Sequence, residues 1–218
     1  MNDLVRTLAL TLVLTSFLAV EWRTLRRAID AYMAQALVMV AIIACFATRH
    51  PGLWWWAGTA FLTKFAIIGW LLRRAAPRAQ DDEVRPYVGT VVSALLIVTL
   101  AVVSYRFIHV NASFLAPTPL AETEPYRTNV AVAITLLFVG AYAALTRRDA
   151  IKVVIGLCMI ENGAHLSLVS LATDMRETVI MGVATDVVVA VFLLLHLVRR
   201  IEVVIGTRDT AVLRALRW

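Results

Sequence analysis

Three ionisable side chains stand where an apolar chain should not place them. Lys64 lies in "GTAFLTKF", Glu161 in "IENGAHL" and Asp186 in "GVATDVVVA", each inside a long hydrophobic run. A charge at the centre of a membrane helix costs roughly 2.5–3.5 kcal/mol on insertion scales, so such residues are kept for a purpose. His165 follows Glu161 by four positions, which puts both on one helix face, with Asn162 beside them. Carboxylates, an amine and an imidazole at a common depth can pass a proton or register a change in charge. The same groups can also simply pair and lock helices together, and the residues alone leave both readings open. Gly163, Ser167 and Ser170 lie on a neighbouring face of the same run and suit close helix approach.

The runs that must position these groups follow from composition. Of 218 residues, 61% are hydrophobic and 17% charged, too few polar side chains to coat a soluble globule of this length. The expected fold class is an all-α integral membrane protein. Runs long enough for a hydrocarbon core of about 30 Å recur at 4–20, 31–47, 53–72, 87–105, 130–145, 151–172 and 179–198, predicting seven transmembrane helices. They form a single membrane domain over 1–200, followed by a C-terminal tail over 201–218. Lys64, Glu161 and Asp186 each fall near the middle of a run, close to the bilayer midplane.

The basic residues are distributed unevenly between the loops. Arg23, Arg26, Arg27, Arg73, Arg74, Arg78, Arg85, Arg147, Arg148, Lys152, Arg199, Arg200, Arg208, Arg214 and Arg217 fall on one side. Only Arg6, Arg49, Arg106, Arg127 and Arg176 fall on the other. The positive-inside rule then puts the N-terminus outside and the C-terminus in the cytoplasm. The formal charge of +6 therefore reports topology and not nucleic-acid binding. Trp22, Trp54, Trp55, Trp56 and Trp70 fall at span ends, where interfacial anchors are expected.

A weak internal similarity sets "TLRRAIDAYMAQALVMV" beside "TRRDAIKVVIGLCMIENG" and "GTAFLTKF" beside "MGVATDVV". It suggests two parallel three-helix repeats flanking the fourth helix, with Lys64 and Asp186 in corresponding places.

Other chemistries find little support. Cys45 and Cys158 lack metal-ligand spacing, and there is no phosphate-binding glycine loop, HExxH or cysteine cluster. At about 1.5 Å per residue, His165 and His196 lie about 20 Å apart in depth, which excludes a shared haem. No cofactor or metal is expected. A retinal protein is disfavoured because the intramembrane lysine sits in the third span.

"YMAQALVMV", "GTAFLTKF", "IGLCMIENGAHLSLVSLA" and "MGVATDVVVAVFLLLHLVRRI" resemble the hydrogenase-4 component E family, membrane subunits of formate hydrogenlyase and related group 4 [NiFe] hydrogenase complexes. Residues 130–200 also resemble the K subunit of complex I and the C subunit of multisubunit cation/proton antiporters. Asp186 sits at the position of the second intramembrane glutamate of the K subunit. Cys158 takes the position of the first, and Glu161 stands one turn further along. The resemblance implies a non-catalytic subunit in a prokaryotic inner membrane. Its partners would be antiporter-like subunits and a soluble arm with [NiFe] and iron–sulfur centres. Lys64, Glu161, Asp186 and His165 would serve as a proton relay. A structural adaptor without a proton path, or a subunit of a cation/proton antiporter, are the alternative readings.

Overall fold

Backbone polar groups inside a bilayer must be satisfied within their own segment, and runs of this length meet that demand as helices. The computed structural model describes residues 2–76, 86–115, 119–171 and 177–213. Its long helices are α1 Asn2–Glu21, α2 Leu25–Ala47, α3 Leu53–Ala75, α4 Thr90–Val110, α5 Tyr126–Thr146, α6 Ala150–Leu171 and α7 Glu177–Ile205. Among the described residues, α1 to α6 are long and apolar enough to cross a membrane.

Most helices begin or end beyond the apolar runs. α2 starts at Leu25 where hydropathy places the start at 31, because Arg26, Arg27 and Asp30 occupy its first turns. α4 continues past Arg106 to Val110 and shortens the connection to α5. Helical hydrogen bonds persist through the headgroup layer, which the apolar run alone does not record. α3 departs more deeply from expectation. Residues Phe61–Ile68 in its middle form a π-helix, and Lys64 lies within that segment.

Two apolar clusters occupy opposite ends of the bundle. One gathers Val20, Leu25, Ile68, Leu72, Ile151 and Ile155, and the other Val5, Leu12, Ile42, Trp56, Leu136 and Leu166. Lys64 falls between Ala60 and Ile68, and Glu161 between Met159 and Leu166, so both sit at the boundary between the clusters.

α5 and α6 approach through glycine. A β-carbon on Gly163 would lie 2.5 Å from the Ala133 carbonyl oxygen, and one on Gly140 would lie 2.6 Å from that of Gly156. Side-chain hydrogen bonds tie further pairs. Asn129 Nδ2 donates to Ser170 Oγ at 2.9 Å between α5 and α6, and Gln35 Nε2 donates to Ser16 Oγ at 2.6 Å between α2 and α1. Lipid offers no alternative partner, so these bonds and the small-residue contacts carry the association.

The basic residues collect at one end, where several are bound. Lys152 is buried, contrary to its expected place in a loop, and its Nζ donates to the carbonyls of Val20 and Trp22 at 2.8 and 2.6 Å. It closes the C-terminus of α1, where orphan carbonyls and the helix dipole favour a cation. Arg147 pairs with Glu21 and donates to Ser93 Oγ at 2.8 Å, joining α5 to α1 and α4. The segment after α7 folds back: Thr210 N donates to the Arg148 carbonyl at 2.9 Å, and Arg148 pairs with Asp209.

Gly163→Ala is expected to destabilise the α5–α6 pair by about 1–3 kcal/mol, the range for overpacking, read as a lower midpoint in denaturing-detergent unfolding. Arg148 holds the Asp209 carboxyl below the usual aspartate range. Because that pKa is depressed on folding, the contact is fully formed above the unfolded aspartate value and is lost as pH falls through the folded one. Acidification should therefore release residues 207–213 to proteolysis, and Asp209→Asn should release them at neutral pH.

Candidate functional site

The site is assembled from one face of α6 and the π-helical part of α3. On α6, Glu161 and His165 are one turn apart, and the glycine contact at Gly163 fixes the helix against α5. On α3 the π-helical turn carries Lys64, a type of irregularity that is frequent at functional sites.

Lys64 is 1% exposed, and its ammonium meets two acceptors from α6. Nζ lies 2.7 Å from Glu161 Oε2 and 2.6 Å from Asn162 Oδ1. The second carboxylate oxygen of Glu161, Oε1, lies 2.9 Å from His165 Nε2, close but not aligned as a hydrogen bond. Glu161 thus stands between an amine and an imidazole, one on each oxygen. The His165 ring is buried and packs edge-on against Trp56, with centroids 5.6 Å apart. Tyr32 and Cys158, both buried, lie within electrostatic range of Glu161.

Several buried polar atoms around this centre have no protein partner among the described residues: His165 Nδ1, Asn162 Nδ2 and Trp56 Nε1. Such a concentration is unusual, since buried polar atoms in native structures are mostly bonded. Glu161 itself retains 16% exposure on a face of α6 that also bares Leu157 and Ala164.

The expected site residues divide into two groups. Lys64, Glu161 and His165 come together, with Glu161 as the acid that Lys64 meets. Asp186 stands apart: it is exposed on α7 and has no hydrogen bond or ion pair among the described residues. α7 nevertheless packs on α3 and α6, beside the Lys64 segment. Gly163 and Ser170 are buried at the α5–α6 contact, whereas Ser167 is half-buried and returns its hydroxyl to the Ala164 carbonyl at 2.8 Å. His196 is exposed, its ring over Phe192. No three His, Cys, Asp or Glu side chains converge as metal ligands among the described residues.

Two further side chains take part, Asn162, which the sequence places beside Glu161 and His165, and Trp56, whose part was not apparent there. Asn162 accepts directly from Lys64. Trp56, expected as an interfacial anchor, is 2% exposed and turned toward His165, while Trp54 and Trp55 face outward. In a run of three tryptophans, only the helical period separates the inward ring from its neighbours.

Residues 129–218 match the family of NADH-ubiquinone/plastoquinone oxidoreductase chain 4L. Over 217 residues the chain is 30% identical to hydrogenase-4 component E of Escherichia coli (strain K12), covering 98% of this chain and 97% of that protein. The same identity and coverage hold for hydrogenase-4 component E of Shigella flexneri. An uncharacterized protein of Mycobacterium tuberculosis is 27% identical over 212 residues, 94% of this chain and 92% of that protein. No solved structure gives a significant match.

Removing one member of the buried pair leaves the other uncompensated. Lys64→Met is expected to lower unfolding stability by about 3 kcal/mol, and the double change Lys64→Met, Glu161→Gln to recover much of that loss. A double-mutant cycle on the purified chain checks it.

Proposed function

The chain belongs to the hydrogenase-4 component E family, and on that premise we propose that it is a non-catalytic membrane-arm subunit of a [NiFe] hydrogenase-type, complex I-related assembly. Within that assembly it contributes a midplane proton relay to energy coupling. The observation that carries this reading is the buried cluster of Lys64, Glu161 and His165, with one neighbour beside each oxygen of the Glu161 carboxylate.

The relay works through Glu161. When the carboxylate is ionised it holds the Lys64 ammonium, while Asn162 occupies a second donor of the same group. A proton delivered to Glu161 through His165 neutralises the carboxylate and weakens its hold, leaving Lys64 with Asn162 as its remaining acceptor. A protonation event thereby becomes a shift in the position or charge of a buried cation. Asp186, on the neighbouring helix and exposed, is the next station, presented to a flanking antiporter-like subunit.

In this reading α7 is a seventh span, the N-terminus lies outside and the C-terminus in the cytoplasm of a prokaryote. Support comes from the inner-end contacts. Arg23 reaches Thr90, Arg73 reaches Asp30 and Arg199 reaches the Arg74 carbonyl, so the Arg-rich ends of the helices share one side. The two-repeat arrangement gains support from the tight α1–α2 and α5–α6 pairs, with Lys64 and Asp186 on the helices that follow them.

One observation favours a purely structural lock: Lys64 is held at once by Glu161 and Asn162, a geometry that also suits a static pair. The two readings separate on function. The tagged chain, extracted in mild detergent from its host, is expected to retain antiporter-like subunits and a nickel–iron large subunit, identified by mass spectrometry. Glu161→Gln and Asp186→Asn are expected to leave that assembly intact and to cut proton translocation in inverted vesicles by about tenfold or more. Intact assembly with undiminished translocation in both variants would leave only the lock.

A further inference from the structure

At the inner ends of α3 and α7 lies a cavity of about 300 Å³, lined by Trp70, Leu71, Arg74, Phe192, His196 and Arg199 among others. We infer that it binds one anionic phospholipid, whose phosphate sits between Arg74 and Arg199 and whose acyl chains run along Trp70 and Phe192.

The cations of this cavity differ from four others at the same end. Arg73, Arg147, Arg148 and Arg208 each meet a carboxylate, from Asp30, Glu21, Asp209 and Asp149 respectively. Arg74 and Arg199 meet none among the described residues, and no acidic side chain lines the cavity. They are instead held by neutral contacts. Arg199 Nη2 donates to the Arg74 carbonyl at 2.6 Å, and the Arg74 guanidinium lies 5.2 Å from the Trp70 ring centroid. A guanidinium has five N–H donors, and these contacts leave most of them free for a planar, multiply accepting anion. His196, packed on Phe192, adds an imidazole at the same rim.

The remaining walls select the source of the phosphate. Trp70, Leu71 and Phe192 give a free inorganic ion nothing, whereas they suit the glycerol and first methylenes of a lipid. At ≈ 30 Å³ per water in the liquid, the volume equals about ten waters, enough for a phosphoglycerol group but not for whole acyl chains. Beyond it, Phe192, Leu193 and Leu197 are exposed on α7 and offer an apolar track. Basic pockets between spans on the cytoplasmic side are where anionic headgroups are expected to bind. The depth of this site rests on the proposal that α7 crosses the bilayer with α3.

Native mass spectrometry of the full chain, with whatever subunits it retains in mild detergent, tests the site with phosphatidylglycerol against phosphatidylcholine. Phosphatidylglycerol should be retained about tenfold more, and Arg74→Gln with Arg199→Gln should abolish that preference. Arg27→Gln with Arg200→Gln, which removes the same charge outside the cavity, should preserve it. In the unmutated chain, phosphatidylglycerol with brominated acyl chains should quench tryptophan fluorescence more than its phosphatidylcholine counterpart, and Trp70→Phe should remove the excess. Equal retention of the two lipids, equal loss in both double variants, or displacement by millimolar inorganic phosphate would each overturn the proposal. Side-specific labelling of cysteines placed at the two ends of α7 reports separately on whether α7 crosses the membrane.

Discussion

An ammonium buried in the middle of an apolar bundle sets the terms for its surroundings. Lys64 needs acceptors at its own depth, because neither lipid nor the aliphatic clusters above and below can supply them. α6 supplies two, from consecutive residues Glu161 and Asn162. For that turn to face Lys64, α6 must be held in a fixed rotation, and the glycine contacts with α5 hold it. The main chains pass so closely at Gly140, Gly156 and Gly163 that α6 has little freedom to roll. The π-helical stretch of α3 completes the fit from the other side.

The Arg-rich end of the bundle follows a different logic. There the charges close off helix termini and connect segments, as Lys152 does for the last carbonyls of α1 and Arg147 does between α5, α1 and α4. These ties are numerous, mutually compensating and placed near water. The boundary between the two apolar clusters has few such groups, and several of their polar atoms lack protein partners among the described residues. The ties between charged groups are therefore concentrated at the Arg-rich end, while the apolar interior holds only Lys64, Glu161 and their immediate neighbours.

Much of this was legible in the chain. Apolar runs located the helices, and the rarity of intramembrane charge singled out Lys64, Glu161 and Asp186 before any geometry was known. The limits have physical causes. Hydropathy registers only the hydrocarbon layer, so it cut α2 and α4 short, and counting Lys152 with the basic residues of the connection missed that it is buried in the first turn of α6. A π-helical turn contains ordinary apolar residues and neither Gly nor Pro within Phe61–Ile68, so nothing in composition announces it. Which acid faces Lys64 is a question of helix rotation and neighbour order, to which a single sequence is silent. Trp56 illustrates the same limit, being set apart from Trp54 and Trp55 only by the angle at which it leaves the helix.

Asp186 gives the chain its asymmetry. Lys64 and Glu161 compensate one another within the subunit, but Asp186 is exposed on the flank of α7 with no partner among the described residues. Against acyl chains, an ionisable group at such a depth carries a cost of roughly 2.5–3.5 kcal/mol. A polar surface from another membrane subunit removes that cost, and the residual exposure of Glu161 lies on an adjoining helix. In the proposed assembly, the feature least favourable to the isolated chain is the one through which its charge is continued into the neighbouring subunit.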